Sequence, residues 1–227
     1  LSYLKDMGAV NLIDLKNEGY LPSAIINNLI LLGWSPKNQD NEIIELPEIM
    51  SQFEIKSLSK SASIFSYKKL DFFNNYFLRI DTNTKLFEEY CKSNKKLTDY
   101  LVLDKEKLFR VFNVYKKDIS KYIEIHSIAE IYFSKSFSKY SDEKFQNDFD
   151  KIYIEFLKLI ININKWEYDI INLEIKEFIK KNNIKFPVLG KPVRYLLTNN
   201  YNGPSITDIF MILGKTESIE RLKRYNI

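Results

Sequence analysis

Six glycines and six prolines among 227 residues leave long stretches with nothing to interrupt a helix, and neither residue occurs between Pro47 and Pro187. A chain so short of turn formers is poorly suited to the hairpins of a β-sandwich and favours helix. Apolar residues recur at three- and four-residue steps, and no alternating run is long enough to compete as a strand. The expected fold class is therefore all-α. With 45% hydrophobic and 28% charged residues, the composition is that of a globular protein able to bury one sizeable core or two or three small ones. No repeat at a fixed period is evident.

The first helix can be argued residue by residue. Pro22 suits a first helical turn, where its missing N–H costs nothing. Ile25, Ile26, Leu29, Ile30 and Leu32 suggest a wide apolar face, with Asn27 and Asn28 on the wetter side. Gly33 is expected to stop this helix, and Trp34 to fold back over its end as a core anchor. Leu46-Pro47 starts a short helix that ends at Phe53, with Glu48 near its positive end. Ser59 to Ala62 opens a further segment, in which Ile64, Phe65, Leu70, Phe72, Phe73 and Phe77 have core spacing.

Further helices are expected from Thr84 to about Ser93, Lys105 to about Tyr115, Ile123 to Phe133, Ser141 to Ile161 and Trp166 to about Lys181. On the long one, Phe145, Phe149, Ile152, Phe156, Leu157 and Ile160 share a side.

Independent catalysis is poorly supported. His126 is the only histidine, which removes a histidine-rich zinc site and leaves no spare member for a Ser-His-Asp or Cys-His arrangement. It reads as an ordinary helix residue. Acidic residues such as Asp148 and Asp150 lie on solvated faces, and no glycine-rich phosphate loop is present. The expected metal set is none. Cys91, the single cysteine, excludes an intrachain disulfide, suits a reducing cytoplasm, and reads as a half-buried spectator. No apolar run reaches membrane-spanning length, so no membrane partner is expected. Leu1 opens no signal-peptide pattern, and without an initiator Met a fragment of a longer chain is expected.

The net charge of +4 is weakly basic and permits a nucleic-acid partner without demanding one. Its distribution is more informative. From Lys191 onward, Lys191, Arg194, Lys215, Arg221, Lys223 and Arg224 face only Asp208, Glu217 and Glu220. A short helix ending near Thr198 is broken by Asn199 to Gly203. Pro204 begins another, which Gly214 caps, and Thr216 can cap the last one. A helix start with exposed N–H groups beside Arg194 is a place for phosphates or unstacked bases. Charge alone favours a solvated basic end.

Taken together the motifs resemble the C-terminal half of bacterial glutamyl-tRNA synthetases, which are class I. Gly19-Tyr-Leu-Pro through Leu32-Gly33-Trp34-Ser35 is similar to a Gly-Tyr-Leu-Pro-x-Ala-x-x-Asn-x-Leu-x-x-Leu-Gly-Trp-Ser pattern. Phe53, Ser59-Lys60-Ser61, Ile64-Phe65, Lys69-Leu70 and Asn74 follow in the family's order, with Ser66 in place of an Asp and Phe72 in place of a Trp. Arg194, Leu197-Thr198, Gly203-Pro204, Leu213-Gly214-Lys215 and Arg221-Leu222 resemble the family's ending. The likeness is strong at both ends and weak between Ile80 and Phe186.

The resemblance implies a helical stem-contact region followed by two helical anticodon-binding modules of the α-helix cage type. Residues 1–80 would hold the end of the catalytic region with the stem-contact helices, 81–135 the first module and 136–227 the second. It implies an enzyme that uses ATP, with magnesium, to attach glutamate to its tRNA, its nucleotide-binding half lying upstream of Leu1. This chain alone would be inactive and hold no cofactor. Lys5 aligns with the lysine that stabilises charge on the ATP phosphates, although Ser2 and Asp6 stand where the family has Lys and Arg. Arg194, Gly203, Pro204, Ile206 and Thr207 would face splayed anticodon bases, with Lys191 one turn away on phosphate. A family arginine that inspects the third anticodon base aligns near Lys116-Lys117. Lys117 keeps the charge but loses the planar fork, so tRNA(Gln) joins tRNA(Glu) as an expected partner. A cytoplasmic monomer is expected. The alternative is a degenerate synthetase-like module that has lost catalysis and binds other proteins.

Overall fold

The computed structural model describes residues 11–36, 42–59, 64–81, 84–134 and 143–226. Every regular element among them is helical, as the scarcity of turn formers requires. In chain order the helices are α1 Leu12–Glu18, α2 Pro22–Ile30, α3 Leu46–Gln52, α4 Tyr67–Ile80, α5 Lys85–Ser93 and α6 Lys95–Leu103. Then come α7 Lys105–Tyr115, α8 Ile125–Phe133, α9 Glu143–Asn162, α10 Tyr168–Lys181, α11 Phe186–Thr198 and α12 Ile206–Leu222. The chain divides into two compact units, Leu1–Leu103 with Tyr115–His126, and Asp104–Val114 with Ser127–Ile227.

In the first unit, Gly19 ends α1 with φ 90°, a left-handed conformation in which its N–H reaches Lys16 O and that of Tyr20 reaches Leu15 O. The site excludes any side chain, since an added Cβ would lie 2.6 Å from Tyr122 Cβ. Pro22 does open α2, which packs against α4. The faces of α2 differ in part from those expected, with Ile25, Ile30 and Leu32 half-buried. Asn27 is 0% exposed and Asn28 is buried, whereas Ile26 and Leu29 are exposed. The reason is hydrogen bonding: Asn27 Oδ1 accepts from Ile44 N at 2.6 Å and its Nδ2 donates to Glu42 O at 2.8 Å. A buried amide with both ends satisfied is tolerated, and it sews the following segment to the helix.

Gly33 does not act as a left-handed stop. The helix closes at Ile30, and Gly33 continues a turn with its N–H on Ile30 O. Trp34 is the anchor expected, buried with Ile44 and Ile49 and edge-on to Phe53 at 6.2 Å. On α4 the core residues are Leu70, Phe73, Asn74, Phe77 and Leu78, while Phe72 and Ile64 face solvent. Asn74 accepts from Leu21 N at 2.7 Å and donates to Ser120 O. Helix α6 had no counterpart in the sequence reading, because Lys95, Lys96, Thr98 and Asp99 dilute its pattern and Leu97 alone of its residues is buried. Cys91 is fully buried rather than half-buried, and burial pushes its thiol up to about 12.

The second unit is built on α9, whose Phe149, Ile152, Tyr153, Phe156 and Ile160 are buried against α11 and α12. From α10, Ile171, Ile175 and Phe178 complete this core. Helix α12 is kinked at Gly214, whose φ of 75° and ψ of 170° mark the break expected there. Its start lies two residues beyond the expected Pro204, at Ile206, with Ser205 as N-cap.

Candidate nucleic-acid interface

The corner between α11 and α12 is assembled from local backbone chemistry. Asn199 ends α11 at φ 55°, its N–H on Tyr195 O at 2.7 Å. Thr198 Oγ1 donates back to Arg194 O at 2.8 Å, and Asn200 Oδ1 accepts from Asn202 N at 3.0 Å. Gly203 follows with φ 139°, a conformation L side chains rarely adopt. The loop is held from inside by Arg194, whose Nε donates to Pro204 O and whose Nη1 donates to Tyr201 O, both at 3.1 Å.

Arg194 therefore does more than face outward. It is half-buried and clips the corner by its edge N–H groups. A guanidinium engaged at its edges can still stack through its face. Gly203 is exposed and Pro204 half-buried, so both are within reach of a ligand. Ile206 and Thr207 are only 2% exposed, and an apolar platform at this corner reduces to Pro204. Lys191 is exposed on α11, one turn before Arg194.

The start of α12 differs from the open anion site expected. Ser205 Oγ accepts from Asp208 N at 3.0 Å and donates to Asp208 Oδ2 at 2.6 Å, so the chain's own carboxylate occupies that end. The basic surplus shrinks as well. Arg221 is 1% exposed and bound to Glu217 and to the carbonyls of Leu197 and Tyr132. Lys215 donates to Ile163 O at 2.6 Å. Burial lowers the pKa of Arg221, while Glu217 opposes that shift. What remains exposed is Lys191 on α11 and Lys223 after α12, with Arg194 and Arg224 half-buried.

The sequence reading missed an aromatic feature of the corner. Tyr195 and Tyr201, both half-buried, stack with ring centroids 4.7 Å apart. The available signal was a tyrosine on either side of the helix break.

Lys117 belongs to the first unit, in the turn after α7, with its side chain exposed. Its carbonyl accepts from Arg79 Nη2 at 3.1 Å and Asn75 Nδ2 at 3.2 Å, which fixes the turn. Lys116 is tied down, its Nζ donating to Asp81 O at 2.7 Å. Lys5 lies outside the described residues.

A family model described as an anticodon binding domain matches residues 84–226. Another, described as the catalytic domain of class I tRNA synthetases (E and Q), matches residues 1–72. Glutamate–tRNA ligase 1 of Aliarcobacter butzleri is 33% identical over 224 residues, covering 95% of this chain and 45% of that protein. The glutamate–tRNA ligase of Nitrosomonas europaea is 29% identical over 96% of this chain and 47% of its own length. The crystal structure of a glutamate-tRNA synthetase from Elizabethkingia anophelis is similar with a TM-score of 0.75 at 26% identity, over 94% of this chain and 42% of that one. The chain thus spans about half the length of the curated relatives it matches.

Proposed function

Because the chain belongs to the anticodon-binding domain family of glutamyl-tRNA synthetases, we propose that it is the tRNA-holding, anticodon-reading part of a glutamate–tRNA ligase. The observation that carries this reading is the match of residues 84–226 to the anticodon-binding model. The Arg194-clipped corner supports it physically, since a pre-formed loop presents Gly203 and Pro204 without an ordering cost on binding. In this reading Lys191 contacts phosphate, while Ile206 and Thr207 support the corner from beneath.

Residues 1–80 then join the stem-contact helices to the catalytic region, and 81–135 and 136–227 act as the two anticodon-reading segments. The whole ligase consumes ATP, with magnesium, to activate glutamate before transfer to tRNA(Glu). Lys5 is the one residue of this chain that the resemblance assigns to the nucleotide. Lysines rather than an arginine at 116–117 make tRNA(Gln) a second substrate. The enzyme would act as a cytoplasmic monomer. Ser2 and Asp6 beside Lys5 favour the second reading, a module without catalysis that binds protein.

Binding of labelled tRNA(Glu), anticodon-substituted tRNA(Glu) and an unrelated duplex RNA to the whole chain at matched salt tests the proposal. Loss of one stacked or hydrogen-bonded base should weaken binding by about 5- to 150-fold, the equivalent of roughly 1–3 kcal/mol. Arg194→Ala should weaken binding to tRNA(Glu) and narrow its margin over the anticodon-substituted form. Equal affinity for all three RNAs refutes the anticodon-reading role. Unchanged affinity in the Arg194 variant points to the protein-binding module.

A further inference from the structure

Away from the corner, the first unit carries a second feature suited to polyanions. A groove of about 500 Å³ lies between the end of α1, the joint of α5 with α6, and His126. Its polar wall comprises Asn17, Ser93, Asn94, Lys95, Lys96 and His126, and no carboxylate lines it. Neighbouring lysines of this unit are neutralised, Lys92 by Glu88 at 2.8 Å and Lys121 by Glu18 at 3.1 Å. Lys95 and Lys96 are exposed and form no ion pair among the described residues.

The floor beneath them is fixed. Tyr90 is buried, donates its hydroxyl hydrogen to Asn17 O at 3.0 Å and accepts from Asn94 Nδ2 at 3.3 Å. Asn94 Oδ1 in turn accepts from Lys96 N at 3.1 Å, and Thr98 Oγ1 donates to Cys91 O at 2.8 Å. These bonds set the angle of the α5–α6 joint, from which both lysines project. His126 is held by stacking on Tyr100, ring centroids 6.0 Å apart. Two cations and several neutral donors on a rigid frame, without a competing acid, match the repeating charge of a phosphodiester chain.

We propose that this groove binds the sugar-phosphate backbone of the RNA, with Lys95 and Lys96 each neutralising a phosphate and Asn17 and His126 offering hydrogen bonds. This rests on the tRNA-binding reading above but concerns the first unit and a different kind of contact. Backbone contacts carry affinity and orientation, whereas the corner reads bases. The groove therefore contributes equally to tRNAs of any anticodon.

The test is the salt dependence of tRNA(Glu) binding to the whole chain, compared with Lys95→Gln/Lys96→Gln and Lys95→Arg/Lys96→Arg. Each phosphate contact contributes about 0.7–0.9 to the slope of log affinity against log salt, so the Gln pair should lower it by about 1.4–1.8. The Arg pair should keep the slope, and the Gln pair should weaken cognate and anticodon-substituted tRNA by the same factor. An unchanged slope in the Gln pair overturns the proposal while leaving the anticodon reading intact. Wild-type binding without salt dependence overturns both. If polyglutamate binds wild type and not the Gln pair while the tRNA slope is unaltered, the groove serves an acidic protein segment instead.

Discussion

Among the described residues Glu217 is the carboxylate that two buried cations share, and removing it should destabilise the second unit. Its Oε2 accepts from Lys107 Nζ at 2.6 Å, and its Oε1 accepts from Arg221 Nε at 3.0 Å and from Nη2. Lys107 is 7% exposed and Arg221 1%. Breaking a buried pair by deleting one partner costs about 3–5 kcal/mol, because the remaining charge stays desolvated. Two effects moderate that figure. The Glu217 side chain is one-third exposed, so water screens it, and Arg221 retains Leu197 O and Tyr132 O. Glu217→Ala should therefore cost about 2–4 kcal/mol.

Urea unfolding followed by tryptophan fluorescence reads the change, with Trp34→Phe as background so that Trp166 reports its own unit alone. Trp166 is placed for this, its Nε1 donating to Phe210 O at 3.2 Å. A pH dependence should accompany the loss. Burial lowers the pKa of Lys107 and Glu217 opposes that lowering, so without Glu217 the folded value falls further. Between that lowered value and the ordinary lysine value the unfolded chain binds more protons, and stability rises with pH. The variant should thus recover part of its deficit on approach to pH 10, with Arg221, charged throughout, limiting the recovery. A loss under about 1 kcal/mol would refute the reasoning, since it would mean that neither cation is truly desolvated.

Two further outcomes follow from glycine geometry and from the thiol. Gly19→Ala combines a left-handed residue with a contact of 2.8 Å to Tyr122 N, which is backbone and cannot swing aside. It should cost about 3–5 kcal/mol, read as faster Cys91 alkylation, whereas Gly214→Ala meets nothing within 4 Å and should cost only the strain of its dihedrals, about 1–3 kcal/mol. A milder effect at Gly19 than at Gly214 would show that Tyr122 yields. Cys91 itself should resist thiol reagents in the native chain and react at once in urea. Its folded pKa of about 12 lies above its ordinary 9.0, so the stability it contributes is complete below pH 9 and lost as pH rises toward 12. At about 1.4 kcal/mol per unit the full loss is of order 4 kcal/mol, and a Cys91→Ser chain should lack that alkaline component. Prompt native-state labelling would contradict the burial.

How much was legible beforehand varies with the physics. Helix identity came through wherever apolar spacing was dense, as on α9, and failed on α6, where polar residues outnumber the buried Leu97. The faces of α2 were misjudged because a hydropathy pattern cannot anticipate that Asn27 finds both backbone partners in residues 42–44. Charge was misjudged for the same reason: Arg221 counts as surface by type and as core by its carbonyl partners. The corner at Gly203 was legible as a break and as a motif. Nothing in the pattern indicated that Arg194 would hold it from inside.

The residues that carried the family resemblance are largely those that satisfy the backbone. Gly19 turns α1 against Tyr122, Asn27 pairs with residues 42–44, and Asn74 bridges Leu21 and Ser120. Arg194 clips its loop, and Arg221 gathers the carbonyls of Leu197 and Tyr132. Each answers an obligatory hydrogen bond or a forbidden side chain, and few residue types can do either. A ligand-facing lysine works under no such constraint, because solvent satisfies it when RNA is absent. This is why the frame of the chain could be recognised from its motifs while Lys95 and Lys96 could not. It also sets what variants will report: changes at the frame residues should alter folding and RNA binding together, whereas changes at the groove lysines should alter RNA affinity and its salt slope without altering folding.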